Sequence, residues 1–196
     1  MPAQWQLPAE DASVLTRAYE ERLETVHSPR HRAMLEMLIE HIRCVLAQDV
    51  DGVMRTMVAE PAFGMWGPTG DTGSKGYEAT RAKYAAVRLG GGIRNQSIAI
   101  ENFVIDDHTM AVDQTETRLV PAWLATQHGY QVPESEGLYA VHRRCAVFIL
   151  FDDAGLMRGE INYGYGWPVN PLDWERVADE DVSPEYHVWL KALSSR

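Results

Sequence analysis

Apolar residues in the first ninety positions recur every three or four residues, which is the spacing of one face of an α-helix. The helices predicted from this spacing cover residues 11–26, residues 30–47, a short segment that begins at Asp49 or Asp51 and ends near Val58, and residues 74–89. Ser28 followed by Pro29 supports a helix start, because serine caps free backbone N–H groups and proline lacks one. A brief strand is predicted over residues 62–66.

From residue 93 onward the pattern changes to segments typical of strands. The predicted strands cover residues 93–105, 108–120, 138–151 and 156–165. Asp106-Asp107 joins the first pair tightly and residues 152–155 join the last pair, so both pairs are predicted to be hairpins. The connection over residues 121–137 is long, which is typical of a functional loop or of an extended hairpin arm. Helices followed by a strand meander indicate an α+β protein.

The length of 196 residues fits one domain with decorated ends. We expect a helical extension over residues 1–29, the main α+β domain over residues 30–166 and a capping tail over residues 167–196. The chain is 45% hydrophobic and 23% charged, which is ordinary for a globular protein with a buried core.

The formal net charge of -10 argues against a nucleic-acid partner and against an anionic membrane, because both would be repelled. Neither a signal peptide nor an apolar run long enough for a membrane span is evident. Cys44 and Cys145 both stand among apolar residues, which favours a buried, reduced pair. Reduced cysteines fit a cytoplasmic location, which we expect for this protein.

Motifs for cofactors, metals and covalent catalysis are not supported. The glycines between the predicted strand and the next helix resemble a phosphate-binding loop, but the segment ends Gly73-Ser74-Lys75-Gly76 and lacks the required Gly-Lys-Ser/Thr. His27 and His31 are four residues apart, but Pro29 places His27 before the helix, and no third ligand lies nearby. No Gly-x-Ser-x-Gly motif is present. We therefore expect no cofactor and no bound metal.

Three local matches accompany this order of elements. They are Leu-Ala-Gln-Asp-Val-Asp-Gly-Val at residues 46–53, Gly-Tyr-Glu-Ala-Thr-Arg at residues 76–81 and Phe-Asp-Asp-Ala-Gly-Leu at residues 151–156. Over about residues 30–166 the chain resembles the nuclear transport factor 2-like superfamily, which includes ketosteroid isomerases, SnoaL-like polyketide cyclases and scytalone dehydratase. The resemblance implies a curved antiparallel sheet wrapped around N-terminal helices as a cone-shaped α+β barrel. It also implies a small-molecule pocket and a homodimer or higher homo-oligomer.

The resemblance to the isomerases is incomplete at their working positions. His41 stands where those enzymes have the tyrosine that donates to the oxyanion, and Tyr84 matches their supporting tyrosine. Their general-base aspartate falls at about Met65, and their protonated aspartate falls at Val147. Because both carboxylates are missing, this chain is not expected to be a ketosteroid isomerase.

Other polar residues stand where the resemblance turns side chains inward, since alternate residues of a strand share a face. These residues are Gln114, Glu116, Arg118, Arg143, Glu160 and Asn162. Hydrophobicity alone predicts the opposite phase for the last strand. It would bury Met157, Ile161, Tyr163 and Tyr165 and turn Glu160 outward. Both phases remain open at this point.

The resulting hypothesis is an enzyme that moves protons without a cofactor, because a desolvated carboxylate has a raised pKa and a nearby histidine titrates near neutrality. The candidate catalytic residues are His41, Tyr84, Glu116 and Glu160. The candidate substrate-binding residues are Trp66, Gln114, Arg118, Arg143 and Asn162. The expected reaction is that of a lyase, by dehydration or carbon–carbon cleavage, on a hydrophobic, aromatic or polycyclic molecule. An isomerase or polyketide cyclase, a non-catalytic binding protein and a structural dimerisation module are the alternatives.

Overall fold

The helices and strands follow the predicted order. A computed structural model describes residues 13–67, 70–86, 95–127, 131–164 and 174–194. The helices within them are α1 (Ser13–Thr25), α2 (Pro29–Leu46), α3 (Val50–Arg55), α4 (Tyr77–Ala86), α5 (Ala122–Gln127) and α6 (Pro184–Ser194), with a 3₁₀ turn at Asp179–Asp181. The strands are β1 (Gly64–Gly67), β2 (Gly70–Asp71), β3 (Asn95–Ile105), β4 (Thr109–Pro121), β5 (Leu138–Phe151), β6 (Met157–Gly164) and β7 (Trp174–Val177).

The strands form one sheet in the order β2-β1-β6-β5-β4-β3, with β7 paired to β5. The hairpins β3–β4 and β5–β6 are antiparallel, but β1 is parallel to β6, so the predicted all-antiparallel sheet is in fact mixed. The chain leaving α3 already runs alongside β6, since Met57 bridges Met157 in the parallel sense. Within the described ranges the sheet does not close into a barrel. The predicted α+β class, with N-terminal helices packed against the sheet, is confirmed.

Helix α2 packs on the sheet with the face that its hydrophobic spacing predicts. Ser28 Oγ accepts a hydrogen bond from a backbone N–H of the first turn at 3.4 Å, and Pro29 occupies that turn. Met34 and Leu35 are completely buried in the core that α2 shares with β4, β5 and β6. Burial of a side chain of this size stabilises the fold by about 1.5–3 kcal/mol. The same face carries His41 into the interior.

Arg30 ties the start of α2 to the two hairpin turns. Its guanidinium donates to the backbone carbonyl of Asp107 at 2.9 Å, to that of Asp153 at 3.3 Å and to that of Asp152. The first turn is closed by Asp106, whose Oδ1 accepts from two backbone N–H groups at 2.7 Å each. One half-buried arginine therefore holds the closed ends of both hairpins against the helix.

An irregularity in β6 resolves the two phases that the sequence leaves open. Phe151 pairs with Met157, whereas Ile149 pairs with Glu160, so Arg158 is an extra residue in the ladder. Phe151 and Ile149 both face the core, and their partners Met157 and Glu160 lie on the same face. A bulge of this kind shifts the alternation of a strand by one residue. The phase from hydrophobicity is therefore right at Met157 and wrong at Tyr163, which is 50% exposed, and Tyr165 lies outside the described residues.

Gly159 makes this bulge possible, and we expect Gly159→Ala to destabilise the protein. Its φ is 136°, and a Cβ there would stand 2.0 Å from the backbone oxygen of Ala62. Gly70→Ala is the matched control, because Gly70 has a φ of 95° but open space around it. Backbone strain alone costs about 1–2 kcal/mol. Urea unfolding is expected to show that loss for Gly70→Ala and a loss of more than about 3 kcal/mol for Gly159→Ala. Equal losses would contradict the close approach.

The two ends of the chain contribute to the fold as well. Tyr19 of α1, within the predicted extension, is buried in the main core. After β6, residues 165–173 lie outside the described residues, as does the predicted boundary at residues 166–167. β7 then pairs with the start of β5, and Tyr186 of α6 is fully buried beside Leu119 of β4. Helix α5 occupies part of the long connection over residues 121–137.

Candidate functional site

Strand β4 brings two polar side chains into the interior. Along this strand alternate residues are buried, beginning with Met110 and Val112 of the main core. Because side chains two residues apart share a face, Gln114 and Glu116 follow them inward, and each is 4% exposed. The strand therefore passes from an apolar end to a charged one on the same face.

Glu116 is held by two arginines. Its Oε2 lies 2.7 Å from Nη2 of Arg118 and 3.8 Å from Nε of Arg143, and its Oε1 accepts from Nε2 of Gln114 at 2.9 Å. Burial alone would raise the pKa of Glu116. The charges of both arginines, with hydrogen bonds from Gln114 and Arg118, lower that pKa below its ordinary value. The expectation of a raised pKa for this carboxyl is therefore wrong, because the arginines outweigh the effect of burial.

The same network extends to the neighbouring strands. Arg143 of β5 donates from Nη2 to Oδ1 of Asn162 on β6 at 2.9 Å. Cys145 donates its thiol to Oε1 of Glu116 at 3.5 Å. The guanidinium groups of Arg118 and Arg143 thus both lie against the carboxylate of Glu116. Guanidinium groups can stabilise an anion that forms nearby.

A second polar group belongs to the helices. Thr56 Oγ1 lies 2.6 Å from the carbonyl oxygen of Val53, so the hydroxyl must donate to it. That hydroxyl then accepts from Nδ1 of His41 at 2.8 Å. With its proton on Nδ1, His41 accepts at Nε2 from the hydroxyl of Tyr84, 3.1 Å away. The order of donors thus runs from Tyr84 through His41 and Thr56 to the backbone.

This arrangement keeps His41 neutral. Burial, with a smaller effect of the Lys83 charge, lowers the pKa of His41 to about 4. The expectation that this histidine titrates near neutrality is therefore wrong. Burial and the charge of Glu160 raise the pKa of Tyr84 well above its ordinary value. Both groups remain uncharged at neutral pH, and the tyrosine oxygen keeps a lone pair for another donor.

Glu160 differs from Glu116 in having no close partner. Among the described residues it makes no hydrogen bond and no ion pair. Burial, together with the charge of Glu116, raises the pKa of Glu160, against a smaller opposite effect of Lys83. The residue nevertheless keeps some accessible surface. The effect of burial on the pKa and the remaining accessible surface of Glu160 agree if its carboxyl faces an internal space rather than the outer solvent.

Two interior residues were missed by the sequence reasoning. Tyr19 of α1 is 4% exposed, and burial, followed by the charges of Glu160 and Glu116, raises its pKa. The sequence pattern that indicates this burial is the spacing of four residues that Tyr19 shares with Leu15 and Leu23 on α1. Lys83 of α4 influences the pKa of His41 and of Glu160. The sequence indication for Lys83 is that it directly precedes the candidate residue Tyr84.

Trp66 is not brought to this interior. It is 47% exposed and stacks on Tyr163, with ring centroids 6.5 Å apart and an interplanar angle of 13°. Phe148 meets the edge of Tyr163 at 5.9 Å. Asn162, which precedes Tyr163, is buried and faces the interior, so Tyr163 and its stacked partner lie on the outer face.

The site contains no set of residues suited to a metal ion. Across the described residues, no group of three or more histidine, cysteine, aspartate or glutamate side chains could hold one. Cys44 and Cys145 are both buried and free.

None of the helices in the described part of the chain is long and apolar enough to cross a bilayer.

Comparisons with known proteins identify the fold. No family model matches this sequence, and no curated protein matches it. A protein named as a SnoaL-like polyketide cyclase, from Shewanella denitrificans, has a TM-score of 0.50 and 13% identity over 67% of this chain and 89% of its own. A second such protein, from Jannaschia, has a TM-score of 0.49 and 14% identity over 71% and 90%. The epoxide hydrolase/cyclase-like enzyme SalBIII, named for pyran ring formation in salinomycin, has a TM-score of 0.48 and 12% identity over 75% and 98%. The similarity at a TM-score of 0.50, together with the order of the elements, supports the nuclear transport factor 2-like fold for this protein.

Proposed function

We propose that the protein is a cofactor-independent acid–base enzyme of the lyase type, acting on a hydrophobic, aromatic or polycyclic molecule. The observation that carries this proposal is Glu160. It is a buried carboxyl with a raised pKa and no ion-pair partner among the described residues, within electrostatic range of Tyr84. A carboxyl held in this way is suited to take a proton near neutral pH.

The first step of the proposed reaction is removal of a proton from the carbon beside a carbonyl group. Glu160 takes this proton, and negative charge develops on the carbonyl oxygen. The guanidinium groups of Arg118 and Arg143, which lie against Glu116, stabilise that oxyanion. The charge of Glu116 contributes to the raised pKa of Glu160, which supports the proposal that both parts act on one substrate.

The second step is loss of a hydroxyl group from the next carbon. The oxygen of Tyr84 accepts a hydrogen bond from that hydroxyl, because its own proton is committed to His41. The protonated Glu160 then returns its proton to the departing hydroxide, which leaves as water. An isomerase or a cyclase would share the first step and differ in the second.

The polarity of the substrate follows from the side chains around the interior polar groups. Phe63, Val112 and Val147 belong to the core that surrounds the charged groups, and the ring of Phe63 meets that of Tyr84 edge to face at 6.2 Å. Apolar walls with a few polar groups favour a hydrophobic ligand with one or two oxygen functions. Aromatic β-hydroxy ketones meet this description.

The test uses such ketones in D2O, with NMR to follow loss of the α-proton signal and formation of the unsaturated product. We expect the wild-type protein to catalyse both. Tyr84→Phe should slow product formation about 3–10-fold, which corresponds to one net hydrogen bond of about 0.5–1.5 kcal/mol. Tyr77→Phe is the matched control on the same helix, because Tyr77 is exposed. Tight binding of the ketones without proton exchange would identify a binding protein and overturn the proposal.

A further inference from the structure

The interior also holds an amine that the steps above do not use. The ammonium nitrogen of Lys83 lies 4.2 Å from the centroid of the Phe63 ring and 5.5 Å from that of the Tyr84 ring. Among the described residues it makes no hydrogen bond and no ion pair. Lys75, in contrast, is 55% exposed and pairs with Asp71 at 2.8 Å. Lys83 is thus an amine in an apolar setting, without the carboxylate that normally accompanies a buried lysine.

The surroundings of Lys83 favour the neutral, nucleophilic form of the amine. Burial lowers the pKa of Lys83, and the charge of Glu160 opposes this effect only in part. Two other titratable groups lie close to it. His41, whose pKa the charge of Lys83 helps to lower, stays neutral, and Tyr84, whose ring centroid is 5.5 Å away, stays protonated. A desolvated lysine beside aromatic rings is the setting in which amines attack carbonyl groups.

We propose that Lys83 is a covalent catalyst that forms an imine with the carbonyl group of an aromatic or polycyclic aldehyde or ketone. This inference deepens the proposed function by naming both the substrate class and the group that activates it. In the first step Nζ of Lys83 bonds to the carbonyl carbon, the C=O π electrons move to oxygen, and the proton lost by nitrogen passes to that oxygen. The carbinolamine then takes a proton from the carboxyl of Glu160 and loses water, which leaves a protonated imine.

The protonated imine serves the same chemistry as the carbonyl that it replaces. It withdraws electrons from the adjacent carbon more strongly than a ketone does, so Glu160, now ionised, removes the α-proton and an enamine forms. The positive charge of the protonated imine lies where the ammonium group of Lys83 lay. It faces the ring of Phe63 and is within electrostatic range of Glu160. A cation in contact with an aromatic face is stabilised by about 0.5–2 kcal/mol. The electron pair of the enamine then expels the β-hydroxyl group, which takes the proton from Glu160 and leaves as water, so an unsaturated protonated imine forms. Addition of water to this imine returns the free amine and the unsaturated carbonyl product, and the released proton passes back to Glu160.

Reductive trapping tests this inference, because the chain has only the three lysines Lys75, Lys83 and Lys191. The full-length protein is treated with 2-naphthaldehyde and sodium cyanoborohydride, and peptides are mapped by mass spectrometry. We expect the naphthylmethyl adduct at Lys83 to form at least about 10-fold faster than at Lys75 or Lys191. The N-terminal amine provides an exposed reference of low pKa. Labelling of Lys83 no faster than that of the two other lysines would overturn the inference.

Two variants extend the test. Lys83→Arg keeps the charge and removes the nucleophile, so no naphthylmethyl adduct should form at position 83 and α-proton exchange should slow. Lys75→Arg should change neither the adduct at Lys83 nor the exchange rate. Lys83→Met serves if the arginine variant does not fold, as judged by circular dichroism. Exchange that persists undiminished in a folded Lys83 variant overturns covalent catalysis and leaves the acid–base function standing. Trapping at Lys83 in a protein that catalyses no exchange would instead support the reactive amine and overturn the proposed function.

Discussion

Turnover of the Glu160→Gln protein is expected to fall about 10²–10⁴-fold, the usual contribution of a positioned proton acceptor. Glutamine keeps the shape of the side chain and cannot accept the proton. In the wild-type protein, turnover should rise with pH through a pKa above the ordinary glutamate range, since burial disfavours the ionised form. The measurement is turnover of an aromatic β-hydroxy ketone against pH. Glu101→Gln, at an exposed position of β3, is the control and should leave the profile unchanged.

The same substitution should make the protein more stable at neutral pH. The folded-state pKa of Glu160 is raised, so between the ordinary and the raised pKa the folded protein binds more protons than the unfolded chain. Stability is therefore lost as pH rises through that window. Glu160→Gln removes this loss. Urea unfolding should show the variant ahead of wild type at pH 7 and level with it below the ordinary glutamate pKa. A variant that is both inactive and less stable at pH 7 would indicate damage to the fold rather than loss of a base.

Glu116→Gln is expected to have the opposite effect on stability and to lower the free energy of unfolding by about 3–5 kcal/mol at pH 7. The side chain of Glu116 is 5% exposed, and its Oε2 lies 2.7 Å from Nη2 of Arg118. It also faces Arg143 at 3.8 Å. Without it, two half-buried guanidinium groups would lose the carboxylate that they share. Urea unfolding of the variant against wild type measures the loss.

The pH dependence and a surface pair provide the controls for Glu116. Its folded-state pKa is lowered, so its stabilising effect is present above the ordinary glutamate pKa and is lost as pH falls through the folded value. The difference between wild type and Glu116→Gln should shrink accordingly in acid. Asp113→Asn removes a similar pair on the same strand, where Asp113 meets the exposed Arg144 at 2.7 Å. That change should cost much less than Glu116→Gln does, because an exposed ion pair contributes little to stability. Equal losses for the two variants would contradict the buried network.

The glutamine variants at positions 116 and 160 therefore separate two kinds of buried carboxylate. One is ionised because two cations surround it, and it stabilises the fold. The other lacks a partner among the described residues, and its ionised form is unfavourable in the folded protein. Burial alone predicts a raised pKa for both residues. Only the position of the arginines relative to each carboxylate distinguishes them.

The sequence by itself determined the order of the elements and the class of the fold. Helical spacing, the start at Ser28 and Pro29, and the turns at residues 106–107 and 152–155 are local properties. Each depends on neighbouring residues only, so each can be predicted from a short stretch of chain. The inward set of β4, which includes Glu116, also follows from simple alternation along one strand.

Tertiary structure decided which of these residues meet. The bulge at Arg158 turns both Met157 and Glu160 inward, and it depends on the close approach of Gly159 to a distant backbone oxygen. Tyr19 and Lys83 reach the interior from helices whose docking the sequence pattern does not specify. Contacts between residues far apart in the chain set the electrostatics of the site. Local spacing contains no information about them, because charge and burial act through space rather than along the sequence.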